Sequence, residues 1–335
     1  LPAVGESGGC LALGGIFALN PALAAIHPYY QAGELLFVHA AGNGYRTRSH
    51  FDAQDLMETG LTLKQGESDG WLNRAIVLLQ GGDKARLGLA VGGAVPLILR
   101  GKAQVASWEP QGDGAIDNDL IAALGPIYAR DPLLGPALAE GVKAQTFSSA
   151  VLGDDAMAKG GAGFGPKAFA ALADAAGKLI AAPHGPRVAA LDMGGWDTHV
   201  NQGAETGRLA QNIEGFAAGL DALAKAMGPA WRQTVVVAVT EFGRTVAVNG
   251  NNGTDHGTAS VLFVMGGAVK GGRVAGDWPG LAQLQDDRDL RMTTDSRAVM
   301  KAVLREHFGL ARGMLDTKVF PDTAGINPFD GLLRA

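Results

Sequence analysis

The sequence predicts an α/β fold built on a doubly wound sheet, and three observations carry that prediction. Its second half alternates helix, strand, helix, strand, loop, strand, helix, the order that builds such a sheet. Its strand candidates are continuous apolar runs rather than alternating ones. The clearest, Thr234 to Thr240 (TVVVAVT), is β-branched throughout, as expected of a central parallel strand covered on both faces. Finally, 47% of the 335 residues are hydrophobic and 18% charged, enough apolar material for a large core and too little charge for a disordered chain.

Along the chain, Glu34 to Ala40 (ELLFVHA) is a short buried strand. Ser49 to Thr59 is a helix, with Ser49 suited to the N-cap and Asp52 three residues on, as in a capping box. Arg86 to Gly92 forms another strand, and Val105 to Asn118 is polar and irregular. Helices are expected over Asp119 to Ala129 and Pro136 to Leu152. A glycine break at Gly160 to Gly163 precedes an Ala-rich helix, Lys167 to Ala182. Val188 to Met193 is a strand, Gly203 to Met227 a long amphipathic helix, Ala259 to Met265 a strand and Thr294 to Phe308 the closing helix. There is no internal repeat or low-complexity linker, so the expectation is one domain over residues 1–335, with insertions in its first half.

Composition excludes several functions. The net charge of -5, without a dense Lys/Arg run, argues against a general nucleic-acid binder. No run of eighteen apolar residues suggests a membrane-spanning helix. Cys10, the one cysteine, permits neither an internal disulfide nor a cysteine-rich metal site. Fifty glycines against 6% aromatics point to many turns and close backbone approaches. Leu1 to Gly5 lack an initiator Met and show no signal peptide, so a truncated or processed amino end is expected.

Ligands of doubly wound sheets bind beyond the carboxyl ends of the strands, so the chemistry is sought there. After Val188 to Met193 comes Gly194-Gly195-Trp196-Asp197-Thr198-His199. A carboxylate and an imidazole two residues apart suit Zn²⁺ or a similar ion, or Asp197 merely caps the next helix. After Thr234 to Thr240 comes Glu241, placed as a ligand or general base, and Arg244, able to grip an anion; an ordinary Glu–Arg ion pair is the alternative. Asp255 and His256, flanked by Gly253 and Gly257, precede the Ala259 strand, as ligands or as a turn. After the first strand come Arg46, Arg48, Ser49 and His50. Ser49 at a helix start is either a nucleophile for an anionic ester or a plain N-cap, and the arginines favour an anion. Three of the seven histidines, His50, His199 and His256, fall in these loops.

The segments TRSHFDAQDLMETG, LDMGGWDTH, VTEFGRT and GTDHGTASVLFVMGGAVKGG resemble the bacterial domain-of-unknown-function family 1501, over about Phe17 to Phe308. That family is similar to the alkaline phosphatase/sulfatase superfamily. The resemblance implies an alkaline phosphatase/sulfatase-like α/β fold, a largely parallel central sheet sandwiched by helices. It implies a divalent metal (Zn, Ca, Mn or Fe) and hydrolysis of a small-molecule or glycan phosphate or sulfate ester. It also implies twin-arginine export to the periplasm or beyond. Ser49 would stand at the nucleophile position, with Glu241 and Arg244 beside it. Asp197, His199, Asp255 and His256 would be the metal residues, and Arg46, Arg48 and His50 would face the substrate. Phe242 stands where the superfamily places a histidine. The superfamily's first strand would lie upstream of Leu1, so a separate amino-terminal fragment is expected to complete the sheet. The alternative is a non-catalytic exported protein that keeps the fold, binds a glycan or partner and retains perhaps one metal.

Overall fold

A computed structural model describes residues 1–62, 66, 68–79, 87–110, 118–153 and 165–334. The chain is mixed α/β. Its largest sheet centres on β3 (Leu35–Gly42), eight residues all buried, matching the apolar run that predicted a strand there. β9 (Arg273–Ala275) and β10 (Thr294–Asp295) both run parallel to β3, against Leu36–Val38 and Ala41–Gly42. On the other side β8 (Ser260–Met265) runs antiparallel to β3, and β7 (Val236–Ala238) antiparallel to β8. A second sheet is wholly parallel, in the order β5 (Ala106–Trp108), β4 (Gly88–Val91), β6 (Val188–Leu191). Near the amino end, β1 (Leu11–Ala12) and β2 (Ala18–Leu19) form a small hairpin.

Two helices cover both sheets, and their apolar spacing explains how. Along α7 (Arg208–Met227), Leu220, Ala224 and Met227 pack on Leu35, Phe37 and Met265 of the large sheet. Leu223, between them, packs on Leu89 and Val91 of the small one, beside Ala173, Ala176 and Leu179 of α6 (Pro166–Ala181). On the opposite side, α8 (Ser296–Phe308) sends Val299, Ala302 and Val303 onto Leu36, Val38 and Val264. Its Met300 and Leu304 reach Ala90 and Val188, joined by Trp71 and Ile76 of α3 (Trp71–Leu78). Each Val or Leu so buried contributes about 1.5–3 kcal/mol. Asp295 caps α8 by accepting a hydrogen bond from the Arg297 amide. The layers are therefore helix, sheet, helix, as expected. The chain also forms α1 (His27–Gln31), α4 (Asn118–Tyr128) and α5 (Leu134–Leu152), with α2 (His50–Thr59) at the end of β3.

The structure departs from expectation in three places. Thr234 to Thr240 was expected to be a central parallel strand. β7 instead pairs antiparallel with β8 and is the last strand of its sheet among the described residues. Its residues are half-buried, although apolar on both faces. The sheet is thus mixed and divided rather than largely parallel and continuous. Second, β5 lies inside the stretch expected to be irregular. Third, Ser49 takes the N-cap position of α2 with extended dihedrals (φ -90, ψ 123), but no side chain caps the helix. Asp52, expected to complete a capping box, instead accepts a hydrogen bond from the Tyr45 hydroxyl at 3.1 Å. The strand start expected at Arg86 and the break at Gly160 to Gly163 lie outside the described residues. No helix is long and apolar enough to cross a membrane, among the residues described.

Candidate metal centre

β3, β6 and β7 all deliver their carboxyl ends to one region, and the chain between β7 and β8 builds its floor. Residues 243–258 fold as a two-stranded ribbon, with Arg244 opposite His256. Main-chain bonds from Gly243 to Thr258 (2.9 Å), Gly257 to Gly243 (2.8 Å) and Thr245 to Asp255 (3.0 Å) hold it. The loop after β6 lies along the ribbon through Thr254 to Thr198 (3.1 Å) and Asn201 to Asn251 (2.9 Å). The flanking glycines permit this three-ply contact. A Cβ at Gly253 would collide with the His199 main chain, and one at Gly257 would sit 2.7 Å from the Arg244 carbonyl. The close approach expected of these glycines is thus to backbone.

On this floor three imidazoles meet. His256 Nε2 lies 3.0 Å from His50 Nε2 and 2.9 Å from His199 Nε2. Asp197 Oδ1 lies 2.8 Å from the Nε2 of His199, 3.0 Å from that of His256 and 3.5 Å from that of His50. The ligand atoms of His50, Asp197 and His256 all fall within 4.8 Å of one another. Every Nδ1 faces an acceptor: Glu241 Oε1 at 2.7 Å from His50, Asp255 Oδ1 at 3.1 Å from His199, and the Arg48 carbonyl at 2.8 Å from His256. Carboxylates and carbonyls only accept, so each Nδ1 carries a hydrogen; a neutral ring then presents its Nε2 lone pair, and a protonated one donates from Nε2 to Asp197 Oδ1.

With neutral rings the cluster is three imidazole lone pairs and a carboxylate turned toward one another. The Arg244 guanidinium donates to Asp197 Oδ1 at 2.6 Å. Acceptors so placed are relieved by a cation or by protonating the rings. The donor set fits a divalent ion with nitrogen and oxygen preference, such as zinc. Bonds of about 2.0–2.1 Å at tetrahedral angles set ligand atoms about 3.3 Å apart, close to the separations here. Carboxylates or carbonyls behind ligating histidines are the usual outer shell of such a site. Burial works against ionisation of Asp197, but hydrogen bonds from Arg244 and His256, with the field of His199, outweigh it and bring its carboxyl to about 2. The Asn249 amide and the His199 ring hold Asp255 below the usual carboxylate range.

All ten residues singled out in the sequence lie on these loops, in distinct positions. His50, Asp197, His199 and His256 form the cluster. Glu241 and Asp255 stand behind two of its rings, and Glu241 Oε2 also accepts from Thr240 Oγ1 at 2.7 Å. Arg244 spans Asp197 and both the hydroxyl and carbonyl of Thr254. Arg48 points its guanidinium at Asp286 and Asp289, leaving only its carbonyl for the cluster. Arg46 is exposed, beside Asn43, Tyr45, Thr258 and Met292 around a shallow pocket. Ser49 sits half-buried between Arg48 and His50, its hydroxyl making no cap bond. Phe242, which cannot ligate, packs its buried ring 4.8 Å from His50 and 5.1 Å from His256 as their apolar wall.

Sequence reasoning missed the supports: Asn249, which donates to Asp255 (2.9 Å) and to the His199 carbonyl (3.0 Å), Gln202, which accepts from Thr198 and Thr254, and Asp289. The dense charges of Asp286-Asp287-Arg288-Asp289 were the one available signal for the last.

No curated protein and no solved structure matches the chain. The model of one family, described as "Protein of unknown function (DUF1501)", matches residues 44–319. That span holds every residue of the cluster and of its supports, and on it the chain belongs to the DUF1501 family.

Proposed function

We propose that this chain is a divalent-metal-dependent hydrolase of phosphate or sulfate esters, exported to the periplasm or beyond, in the manner of the alkaline phosphatase/sulfatase-like proteins that its motifs resemble. The observation that carries the metal part is the arrangement of three imidazole Nε2 atoms and Asp197 Oδ1, with each Nδ1 hydrogen bonded to an acceptor. His50, Asp197, His199 and His256 would hold the ion. Bound there, it would supply positive charge to neutralise an anionic ester.

The residues of the chain divide the remaining work. Glu241 and Asp255 fix the tautomers of His50 and His199 and aim the rings. Arg244 holds Asp197. Arg46, whose guanidinium is exposed beside the pocket, is placed to receive the anionic group. The Ser49 hydroxyl, free of a capping bond, is the nucleophile. Its Oγ gives its proton to solvent and bonds to phosphorus or sulfur as the ester oxygen leaves and takes up a proton, and water then displaces Oγ, which regains its proton as inorganic phosphate or sulfate is released. Phe242 keeps the inner side of the rings dry.

One observation favours a second reading. The guanidinium groups of Arg48 and Arg244 are both engaged by the chain itself, leaving fewer charges for an ester. A non-catalytic exported protein with one retained metal would need no more. The test is elemental analysis of the purified chain and of His256→Ala, with phosphate and sulfate esters screened on the native protein. About one equivalent of metal, lost in the variant, together with turnover supports the hydrolase. Metal without turnover on any ester favours the binding protein, and no metal after reconstitution removes the hydrolase and leaves a binding protein.

A further inference from the structure

The three rings of the cluster are not held alike. His50 and His199 lean on carboxylates, but His256 relies on the main-chain carbonyl of Arg48. The direction of a carbonyl is set by the backbone that carries it, and this backbone is unusual. Arg48 has φ 60, in the left-handed region that side-chain-bearing residues seldom occupy. Its own side chain holds it there. Arg48 Nε donates to Asp289 Oδ2 at 2.9 Å and Nη2 to the same oxygen at 2.6 Å.

Asp289 is 0% exposed, and a carboxylate buried so completely has to be paired. It is paired twice, because Arg288 Nε reaches its Oδ1 at 3.1 Å. Arg288 then donates from Nη2 to the main-chain carbonyl of His256 at 2.8 Å. One buried carboxylate therefore sits between two arginines, and both touch His256, one at its ring and one at its backbone. The Asp289 main chain also bridges Thr245 on the floor ribbon.

We propose that Asp289 is a positioning residue. Through Arg48 it fixes the tautomer and aim of the His256 imidazole, and so sets how tightly the cluster binds a divalent cation. The affinity part rests on the metal-site reading above; the tautomer part stands on the hydrogen bonds alone.

The experiment pairs two readouts on the full chain: imidazole ¹⁵N shifts in metal-free protein labelled at histidine, and calorimetric titration with Zn²⁺. The native His256 should show the Nδ1–H tautomer. In Asp289→Asn, nearly the same size but uncharged, His256 should become a mixture, and the Zn²⁺ affinity should fall about 10- to 100-fold. Arg48→Ala should behave likewise and serves if the Asn variant does not fold. Arg48→Gly, at ease at positive φ, should recover part of the loss. Asp286→Asn, at an exposed partner of the same arginine, should change neither readout. Native tautomer and native affinity in both Asp289→Asn and Arg48→Ala would overturn the proposal while leaving the metal site standing. If native protein takes up no Zn²⁺, the metal-site reading and the affinity part fall together. A tautomer change in the variants would then still support the positioning of the ring, and its absence would overturn that as well.

Discussion

At the scale of single residues, Ser49 separates two roles that look identical in sequence. A serine before a helix is usually a cap, and removing a working cap costs about 1 kcal/mol. Ser49 has the dihedrals of a cap without its bond. Ser49→Ala should therefore change stability by less than about 0.5 kcal/mol in urea unfolding, as at an ordinary surface site. It should abolish ester turnover and leave Zn²⁺ uptake intact. A full capping loss with unchanged turnover would return Ser49 to the helix. His39 supports a second prediction. It lies buried in β3, its Nδ1 without a hydrogen-bond partner among the described residues, between Phe17 (5.2 Å) and Trp278 (5.3 Å). Burial pushes its pKa below the ordinary 6.5. Above pH 6.5 the ring is neutral folded or unfolded and pH has no purchase on it. As pH falls below 6.5 the unfolded chain takes up a proton that the folded one refuses, so stability drops until the folded pKa is reached. His39→Phe should lose less stability than the native chain between pH 7.5 and pH 5.5, measured by urea unfolding at each. His307, also lowered by burial and by Arg187, keeps its share in both proteins. Identical losses would clear His39 of the effect.

At the scale of elements, the structure has a seam. Among the described residues β6 and β7 are each the last strand of their sheet, and both reach the same site with their carboxyl ends. Ala190 and Val239 pack into one core cluster, on the α8 side, and Ala189, Leu191 and Val236 into another, on the α7 side. Among the described residues the layer is thus continuous in its packing but unpaired in its hydrogen bonds across the seam. Amides of Val188–Leu191 and Val236–Ala238 should therefore exchange with deuterium faster than those of Leu35–Gly42. Equal protection would show the seam closed. This element scale also shows what a sequence can disclose. The runs of β3, β7 and β8 were legible because burial on two faces demands continuous apolar residues. Direction was not, because an apolar run looks the same either way. The missing crossover helix between Glu241 and Ala259 was the available sign that β8 returns antiparallel. The three-residue β5 was hidden by its polar neighbours. The histidines of the site were legible because each follows or precedes such a run. The use of Arg48 was not, because its partner Asp289 lies far along the chain and only folding joins them.

At the scale of the whole molecule, the cluster joins what the strand pairing leaves apart. The large sheet brings His50 from the end of β3 and His256 from the entry to β8, and the small sheet brings Asp197 and His199 from the end of β6. A cation held by all four would tie the two sheets across the seam, and an unfolded chain could not assemble that set. Binding to the folded state alone stabilises by mass action, about 2.7 kcal/mol when the free ion is a hundredfold above its Kd. Zn²⁺ should therefore raise the thermal midpoint of metal-stripped protein by several degrees, and a chelator should reverse the rise. His199→Ala and His256→Ala, which cut the link from opposite sheets, should each abolish most of the shift. Ser49→Ala should keep it. The shift should also shrink on acidification, since binding at imidazole nitrogens displaces protons. Asp197, with its carboxyl at about 2, stays ionised throughout that range and takes no part in the loss. A shift that persists in both histidine variants would place the ion elsewhere. A shift lost only in His256→Ala would confine the site to the large sheet and leave the seam to its core packing.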